Sequence, residues 1–378
     1  MGGLQGALSG ATAPELGATA IKAAVDRAGV SPDAVDEVIM GCILTAGVKQ
    51  GPARQAMRQA GLPDSTGAVT INKLCGSGLK AVMQAHDAIK AGSADIIVAG
   101  GMESMTNAPY ILPGSRSGYR MGHKEVKDHM FLDGLEDAET GKLMGQFAQE
   151  MADKKGYTRE QMDNFAIESL NRANTAIKEG HFKNEITPIT IKTRKGEVTV
   201  DTDEEPSTAN AERIPSLRPA FAKDGTITAA NASSISDGAA ALVMTSQQNA
   251  KDKGLNVEAR IIATASHSRH PSEFTIAPIG AMQKLLDKAG WSVEDVDLWE
   301  INEAFAMVTM AAMDEMNIDH AKVNIEGGAC ALGHPVGCSG ARILVTLINS
   351  LKRTGGKKGV ASLCIGGGEA VAVAIELP

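Results

Sequence analysis

The sequence predicts an α/β protein that contains two copies of one layered domain, with a segment of different character between them. The first observation is that short runs rich in Ile and Val alternate with amphipathic helical stretches. ADIIVAGG at 94–101 and GVASLCIGGG at 359–368 have the composition of buried strands. Such alternation is typical of sheets that are covered by helices.

A predicted helix precedes each of these two strands. One face of the first helix carries, at the i, i+3, i+4 and i+7 spacing, Leu79, Val82, Met83, His86 and Ile89. One face of the second helix carries Leu344, Leu347, Ile348 and Leu351. We expect both faces to pack against a sheet.

The second observation is self-similarity within the chain. AGVSPDAVDEV at 28–38 matches AGWSVEDVDLW at 289–299, an offset of 261 residues. GSGLK at 76–80 matches CSGAR at 338–342, an offset of 262 residues. Because two separate patches share nearly one offset, we interpret them as the trace of a duplicated domain.

These offsets and a change in composition divide the chain. We predict that residues 1–104 and 236–256 form a first half and that residues 257–378 form a second half. Residues 105–235 contain loop-like runs, charge clusters and helices such as 159–179, and form an inserted domain. An insertion of this size is either a contact between subunits or a lid over a ligand, and composition leaves both open.

The two copies differ at their start. The second copy has a strand-like segment, ARIIATA at 259–265, ahead of its first helix. Subtracting the offset of 261 places its counterpart at about −2 to 4. We therefore predict that the first copy lacks its opening strand.

Composition excludes several functional classes. Lys plus Arg number 37 and Asp plus Glu number 45 among 378 residues, so the net charge is −8. This balance argues against nucleic acid or an anionic membrane as the main partner. No run approaches the ~18–20 apolar residues of a membrane span, and the opening residues do not resemble a signal peptide. The five cysteines are odd in number and lack metal-ligand spacing, which predicts free thiols, no metal site and a cytoplasmic location.

Cys75 is the first candidate for chemistry. It stands in NKLCGSGLKA at 72–81, where a glycine-rich turn leads into a helix. Backbone N–H groups at a helix N-terminus favour negative charge and can lower a thiol pKa from ~8.5 to about 3.5–7.5. The alternative is a small buried structural cysteine. The flanking glycines favour a nucleophile.

Three further residues lie at junctions between elements. His334 stands in the glycine-rich loop GGACALGHPVGCSGAR at 327–342, where the alternative is a turn histidine without a role. Cys364 ends a predicted buried strand just before three glycines. Asn302 follows the strand-like DLWEI, at the carboxyl edge where α/β sheets bind ligands. For Asn302 the alternative is an ordinary helix cap.

Two thiols, a histidine and an asparagine suit carbon–carbon chemistry on thioesters, in which one thiol carries an acyl group and the other moves a proton at carbon. A dinucleotide-binding oxidoreductase is a rival, because Gly76, Gly78 and Ala81 satisfy G-x-G-x-x-A, but the next strand lacks the expected acidic residue. A cysteine hydrolase using Cys75 and His334 is another, and it leaves Cys364 without a role.

Over its whole length the chain resembles the thiolases, and among them the acetyl-CoA acetyltransferases. The motifs that carry the resemblance are LCGSGLKA, AGGMESMTNAPY, TAANAS, NEAF, GGACALGHPVGCSGAR and CIGGGEA. The resemblance implies the five-layered α/β/α/β/α thiolase fold, with two duplicated halves and an inserted loop domain. It also implies a homodimer or homotetramer.

By the same resemblance, Cys75 is the nucleophile that takes the acyl group from an acyl-CoA. His334 activates it as a base and helps to bind a thioester oxyanion. Cys364 is the acid/base at the α-carbon of the second acetyl-CoA, and Asn302 holds a water near the enolate oxygen. The N–H groups of Cys75 and Gly366 form a second oxyanion hole.

The family pattern also implies a tunnel for the pantetheine arm of coenzyme A. Its expected lining residues are Met144, Phe221, Ser233, Ala304 and Phe305. Coenzyme A thioesters are then substrates and products, and no separate cofactor is expected.

Several positions depart from the family pattern. Leu143 stands where acetyl-specific members often have His, and a basic residue is missing around Pro206–Ser207. Glu369 stands where a small or apolar residue is usual. The alternative within the family is a broad-range 3-ketoacyl-CoA thiolase of fatty-acid β-oxidation. The predicted lack of an opening strand leaves open a second alternative, an inactive member that serves as a scaffold.

Overall fold

A computed structural model of the protein describes residues 1–193 and 196–378. The strands are β1 Gly2–Gly3, β2 Glu37–Gly41, β3 Gly67–Ile71, β4 Ile96–Ser104, β5 Tyr110–Ile111, β6 Lys127–Asp128, β7 Ile189–Thr193, β8 Gly196–Val200, β9 Ser236–Thr245, β10 Arg260–Ser268, β11 Leu298–Ile301, β12 Lys358–Ile365 and β13 Glu369–Glu376. The α-helices are α1 Ala13–Ala28, α2 Pro52–Gln59, α3 Ser77–Lys90, α4 Met144–Lys155, α5 Arg159–Glu179, α6 Glu205–Thr208, α7 Gln247–Asp252, α8 Ala277–Ala289, α9 Ala306–Met316, α10 Ala329–Leu332 and α11 Ser339–Thr354.

Two central sheets repeat one topology, as the internal similarity predicts. The first sheet has the order β1-β9-β4-β2-β3, and the second has the order β10-β13-β12-β11. In each sheet a parallel pair, β2 with β4 or β11 with β12, is extended by an antiparallel strand, β9 or β13. Where the first sheet has β3, the second has a single parallel bridge between Trp299 and Val323.

Helices cover and separate the sheets in five layers. Helices α1 and α2 pack on the outer face of the first sheet, and α8 packs on the outer face of the second. Helices α3 and α11 fill the layer between the sheets. The apolar face predicted for α3, including Leu79 and Val82, forms one core with Leu347 of α11, Ile97 of β4 and Leu363 of β12. The predicted α/β/α/β/α arrangement is therefore confirmed.

Two glycines at equivalent positions of the two copies let α3 and α11 touch at their N-termini. A Cβ atom at Gly78 would lie 2.7 Å from the backbone nitrogen of Ala341. A Cβ atom at Gly340, the counterpart in the second copy, would lie 2.4 Å from the backbone nitrogen of Leu79. Since backbone atoms cannot give way as a flexible side chain can, only glycine fits at this crossing. The contact brings the turn that precedes α3 close to the loop that precedes α11.

The inserted residues pack mainly over the second half. Phe147 of α4 and Phe165 of α5 belong to the same buried core as Phe305 and Trp299. The loop around β5 and β6 instead exposes several large apolar side chains, namely Tyr110, Leu112, Tyr119, Met121 and Val126. One portion of the inserted segment thus covers the second half, as a lid would. Another portion exposes apolar side chains, as a contact between subunits would.

The edge strand of the first sheet is short. β1 pairs with β9 only at Ser236 and Asp237, whereas β10 of the second sheet pairs along the whole of β13. Among the described residues, the two-residue strand β1 occupies this edge position. A cavity of about 1540 Å³ adjoins the rest of the β9 edge, between α1, α3 and α11. None of the predicted catalytic residues lines this cavity, so its size does not mark the active site.

The Gly340 contact generates a prediction about stability. We expect Gly340→Ala to lower the free energy of unfolding by about 1–3 kcal/mol, because the new methyl group must push apart the two helix N-termini. The measurement is the midpoint and slope of urea denaturation.

Gly67→Ala in β3 is the matched control, since its nearest neighbour, the backbone oxygen of Asp36, would lie 3.5 Å from the added Cβ. We expect the control to change stability by less than about 0.5 kcal/mol. Equal stability of the two variants would contradict the proposed role of the glycine contact.

Candidate active site

The turn that carries Cys75 is held in an uncommon backbone conformation. Leu74 has φ +47°, a value that favours glycine. Its N–H donates to Asn72 Oδ1 at 3.0 Å, and its carbonyl accepts from Ser77 Oγ at 2.7 Å. Ser77 Oγ in turn accepts from the N–H of Lys73 at 2.7 Å. These bonds close the chain between β3 and α3 and fix the direction of the Cys75 side chain.

Burial dominates the ionisation of Cys75. It raises the pKa of the thiol to about 11, although the N–H groups of Gly366 and of Cys75 itself act in the opposite direction by donating to the sulfur. The lowered pKa that we predicted from the helix N-terminus is therefore wrong for the unliganded site. The helix start is present, but the cost of taking a thiolate out of water exceeds its effect. Cys75 is consequently a thiol that needs a base.

His334 is the base that the sequence predicts, and its hydrogen bonds fix which ring nitrogen is free. It lies in the loop between α10 and α11, and its N–H donates to the carbonyl of Ser234 at 3.1 Å. Its ring Nδ1 lies 2.5 Å from Ser339 Oγ, whose own proton goes to the carbonyl of Pro335 at 2.9 Å. Nδ1 must therefore donate, so the neutral ring carries its lone pair on Nε2.

The environment keeps that imidazole neutral. Burial, reinforced by the positive charge of Arg342, lowers the pKa of His334 to about 3. The Nε2 atom is buried and has no hydrogen-bond partner among residues 1–193 and 196–378. A buried lone pair without a partner is available to take a proton from a bound reactant.

Cys364 lies near the end of β12, fully buried. Burial raises the pKa of its thiol, and negative charge on Cys75 raises it further. The two sulfurs, which stand in opposite halves of the chain, are thus close enough to influence each other's ionisation. Because like charges repel, ionisation of one thiol disfavours ionisation of the other.

Asn302 stands beside this strand, at the carboxyl end of β11. Its N–H donates to the carbonyl of Ser362 at 3.0 Å, two residues before Cys364. Its side-chain Oδ1 and Nδ2 atoms are buried and lack partners within the described part of the chain. A helix cap would use its side chain on the local backbone, so the alternative interpretation of Asn302 as a cap is not supported.

A polar network that sequence reasoning missed supports Asn302 from behind. The carboxylate of Glu303 accepts from Ser169 Oγ and Asn324 Nδ2, both at 2.8 Å, and from the N–H of Cys330 at 3.1 Å. The Asn324 amide also bonds both backbone groups of Ile301, the last residue of β11. Glu303 belongs to the NEAF motif. An acidic residue just after a buried strand was the sequence signal that could have revealed this network.

Glu103 is a second residue that sequence reasoning missed. Its carboxylate accepts from the N–H groups of Ile43 at 3.0 Å, Leu44 at 3.1 Å and Gly337 at 2.9 Å. Burial raises its pKa to about 7 against the effect of these donors. Glu103 therefore fastens the loop that follows His334 to the first sheet. An acid within the otherwise apolar strand β4 was the available signal.

The predicted tunnel residues form a connected wall. Met144 Sδ and the side chain of Leu74 lie beside Gly366, where an added Cβ would be 3.2 and 3.3 Å from them. Ser233 Oγ donates to the carbonyl of Ala304 at 3.0 Å, beside Phe305.

The outer part of this wall is aromatic. The rings of Phe305 and Phe221 meet edge to face, with 6.0 Å between their centroids. Phe221 also lies against Gly145, next to Met144. The structure thus joins Met144 to the Cys75 and Gly366 turns, and it places Phe221 in contact with Phe305 and Ser233 in contact with Ala304.

The described residues contain neither a cluster of metal ligands nor a membrane-spanning helix. Among residues 1–193 and 196–378, no group of three or more His, Cys, Asp or Glu side chains could hold a metal ion. Within the same residues, no helix is both long and apolar enough to cross a bilayer.

Comparison with known proteins covers the entire chain. Residues 1–248 match the thiolase N-terminal domain, and residues 255–377 match the thiolase C-terminal domain. The acetyl-CoA acetyltransferase of Pseudomonas aeruginosa is 50% identical over 377 residues, which are 99% of this chain and 96% of that protein. The enzyme of that name from Cupriavidus necator is 51% identical over 378 residues, or 100% and 96% of the two chains.

Solved structures agree with these relatives. The crystal structure of Bacillus anthracis acetyl-CoA acetyltransferase has a TM-score of 0.97 and 43% identity, and the match covers 100% of this chain and 96% of that one. Acat5 thiolase from Ascaris suum, crystallised in complex with coenzyme A, has a TM-score of 0.94 and 40% identity over 100% and 97% of the two chains.

The raised pKa of Cys75 predicts how its alkylation depends on pH. Thiolate is the reactive form, so we expect the iodoacetamide rate constant of the unliganded protein to keep rising from pH 7 to pH 10. Peptide mass spectrometry after timed exposure measures the rate at Cys75, with Cys75→Ser as the blank. A plateau reached below pH 8 would mean that a preformed thiolate exists and would contradict this description.

Proposed function

The chain belongs to the thiolase family, and we propose that it is an acetyl-CoA C-acetyltransferase that joins two acetyl-CoA molecules into acetoacetyl-CoA and coenzyme A, or catalyses the reverse cleavage. The observation that carries the proposal is the pair of thiols, a partly buried Cys75 and a buried Cys364, whose neighbours Gly76 and Ile365 are in contact across the two halves. A hydrolase would need only one of them. Two thiols are needed when one carries the acyl group and the other moves a proton.

In the first half-reaction, Cys75 Sγ attacks the carbonyl carbon of acetyl-CoA while His334 Nε2 takes the thiol proton. The carbonyl oxygen becomes an oxyanion, and the N–H groups of Cys75 and Gly366 are its proposed donors. Loss of one such donor typically costs about 2.7–4 kcal/mol of transition-state stabilisation. The carbon–sulfur bond to coenzyme A then breaks, the leaving sulfur receives the proton from His334, and acetyl-Cys75 remains.

In the second half-reaction, the Cys364 thiol gives its proton to His334 Nε2, and the resulting thiolate removes a proton from the methyl carbon of a second acetyl-CoA. The enolate oxygen is stabilised by an Nε2–H group of His334 and by a water held on the Asn302 amide. The enolate carbon attacks the carbonyl of acetyl-Cys75, and the carbon–sulfur bond to Cys75 breaks. The Cys75 sulfur then takes the proton from His334 Nε2 while Cys364 keeps the proton removed from carbon, so acetoacetyl-CoA leaves a site with both thiols protonated and a neutral imidazole.

Repulsion between the charged forms of the two sulfurs keeps them from ionising together. Negative charge on Cys75 raises the pKa of Cys364, and acetylation makes that charge impossible. Acetyl-Cys75 therefore exerts no charge repulsion on Cys364 at the moment when a thiolate base is needed. Ping-pong kinetics follow from the covalent intermediate.

The acyl chain in this proposal is acetyl. Relatives that match the whole chain at about 50% identity carry the name acetyl-CoA acetyltransferase. This favours acetoacetyl-CoA over the longer substrates of a broad-range 3-ketoacyl-CoA thiolase, despite Leu143. Coenzyme A thioesters are the substrates and products in this proposal, with no separate cofactor and no metal, and Met144, Phe221, Ser233, Ala304 and Phe305 line the pantetheine path.

We further propose that the protein works in the cytoplasm as a homodimer or homotetramer. The outer edge of β3 is unpaired within the described chain, and Val69 on this strand is 38% exposed. The apolar side chains exposed around β5 and β6 supply a second surface for assembly.

The division into halves at 1–104 with 236–256 and at 257–378, around a loop domain at 105–235, belongs to the same proposal.

Two variants separate the roles of the thiols. We expect Cys75→Ser to fall below about a thousandth of wild-type activity in both directions, because the acyl carrier is lost. We expect Cys364→Ala to accept radiolabelled acetyl groups on Cys75 but to fail in exchange of the α-proton and in condensation.

The assays are thiolysis of acetoacetyl-CoA, beside longer 3-ketoacyl-CoAs, and deuterium exchange into acetyl-CoA. Cys330→Ala, another cysteine variant, is the control and should keep most of its activity. Normal condensation by Cys364→Ala would refute the two-thiol mechanism, and faster cleavage of the longer substrates would refute acetyl specificity.

A further inference from the structure

We propose that the ion pair between Lys73 and Glu369 is a positioning device for the reaction, which holds the Cys75 turn at a fixed distance from the turn that carries Gly366. The inference rests on the proposed function and adds to it two residues to which the mechanism gives no chemical step. It also supplies a physical reason for Glu369, which departs from the family pattern.

The ion pair bridges the two halves of the chain beside the reacting groups. Lys73 Nζ lies 2.6 Å from Glu369 Oε2, and the two residues are 296 positions apart. Lys73 stands two residues before Cys75, and Glu369 stands three residues after Gly366. The other carboxylate oxygen of Glu369 accepts from Ser268 Oγ at 3.3 Å, at the end of β10. The Glu369 carboxylate therefore links three segments: the turn before Cys75, the end of β10 and the start of β13.

Each partner is fixed to its own turn by backbone bonds. The N–H of Lys73 donates to Ser77 Oγ at 2.7 Å, and its carbonyl accepts from the N–H of Gly76 at 3.1 Å. Glu369 pairs with Ile365 in the β12–β13 ladder and so closes the hairpin around the glycines. Movement of either side chain is thus transmitted to the turn behind it.

The glycine turn has no side chain of its own with which to hold its position. Residues 366–368 are all glycine, and Gly367 and Gly368 have φ of +85° and +89°. Glu369 is the first residue after them that can reach across to the first half. Apolar contacts also join the glycine turn to the Cys75 turn: Ile365 lies against Gly76, and Leu74 lies against Gly366. Because apolar contacts are not directional, they do little to stop one turn from sliding past the other.

The position of this turn matters because Gly366 lies against Leu74 of the Cys75 turn, close enough for its N–H to act on the Cys75 sulfur and lower the pKa of that thiol. The same N–H is a proposed donor to the thioester oxyanion, and such groups must be held within about 0.5 Å of the productive geometry. The ion-pair side chains are partly exposed, at 23% and 36%, so the pair contributes little to global stability. Its loss should therefore change catalysis without unfolding the protein.

The test compares Glu369→Gln with a control on the same strand. Glu376→Gln removes a similar exposed pair, with Arg260 Nη2 at 2.5 Å, at the far end of β13. For Glu369→Gln we expect kcat for acetoacetyl-CoA thiolysis to fall about 3–10-fold, with KM within about twofold, because misplacement acts on the transition state. We expect Glu376→Gln to match wild type, and both variants to keep the wild-type thermal midpoint.

The charge-exchanged double variant, Lys73→Glu with Glu369→Lys, should recover at least half of the lost kcat. The proposal would be overturned if Glu369→Gln and Glu376→Gln had equal kcat values. It would also be overturned if Glu369→Gln raised KM alone, because the ion pair would then be a contact with the substrate. If the double variant loses its fold, Lys73→Gln replaces it and must reproduce the Glu369→Gln result.

A second readout does not depend on acyl transfer. Because the Gly366 N–H lowers the pKa of Cys75, its displacement in Glu369→Gln should slow iodoacetamide alkylation of Cys75 at pH 8 by about 2–5-fold relative to Glu376→Gln. Unchanged alkylation would overturn the positioning role. Slowed alkylation in a protein whose wild type cleaves no 3-ketoacyl-CoA would instead sustain the positioning role and refute the proposed function.

Discussion

The contact between the N-termini of α3 and α11, made possible by Gly78 and Gly340, is the constraint on which the active site depends. Each helix follows a segment that carries a proposed reacting group, Cys75 in one half and His334 in the other. Because backbone meets backbone at this crossing, the two segments have little freedom to shift apart. Glu103 adds to this constraint, since one carboxylate bonds the first sheet to the loop after His334. A duplicated fold thereby builds one site from two halves.

Burial at this junction sets the chemistry of the site. It raises the pKa of both thiols and lowers that of the imidazole, so the resting site contains neutral groups. Neutral groups are stable in a poorly solvated cavity, and charge develops only when a thioester supplies the atoms that need it. In the proposed mechanism, the coupling between Cys75 and Cys364 keeps the two sulfurs from ionising together, and acetyl-Cys75, which carries no charge, does not oppose ionisation of Cys364.

Local patterns in the sequence predicted much of this arrangement, and long-range contacts supplied the rest. The helix face around Leu79, the strand that ends at Cys364 and the duplication are periodic or repeated signals, and the structure confirms them. The pKa of Cys75 was mispredicted because a helix start is a local feature, whereas burial of the sulfur depends on the second half. The partner of Glu369 lies 296 residues away, a distance over which no pattern along the chain identifies a contact. The hydroxyl that orients His334 depends on a loop conformation that only coordinates reveal.

The most direct measurement of the central claim is chemical bridging of the two sulfurs. 1,3-Dibromoacetone can join two thiols only when they face a common space a few ångströms wide. At pH 9 we expect mass spectrometry to find the peptide of Cys75 joined to the peptide of Cys364, with no such product from Cys364→Ala. Separate modification of the two cysteines without any bridged peptide would show that the thiols do not share a cavity, and the account of one site built from two halves would be wrong.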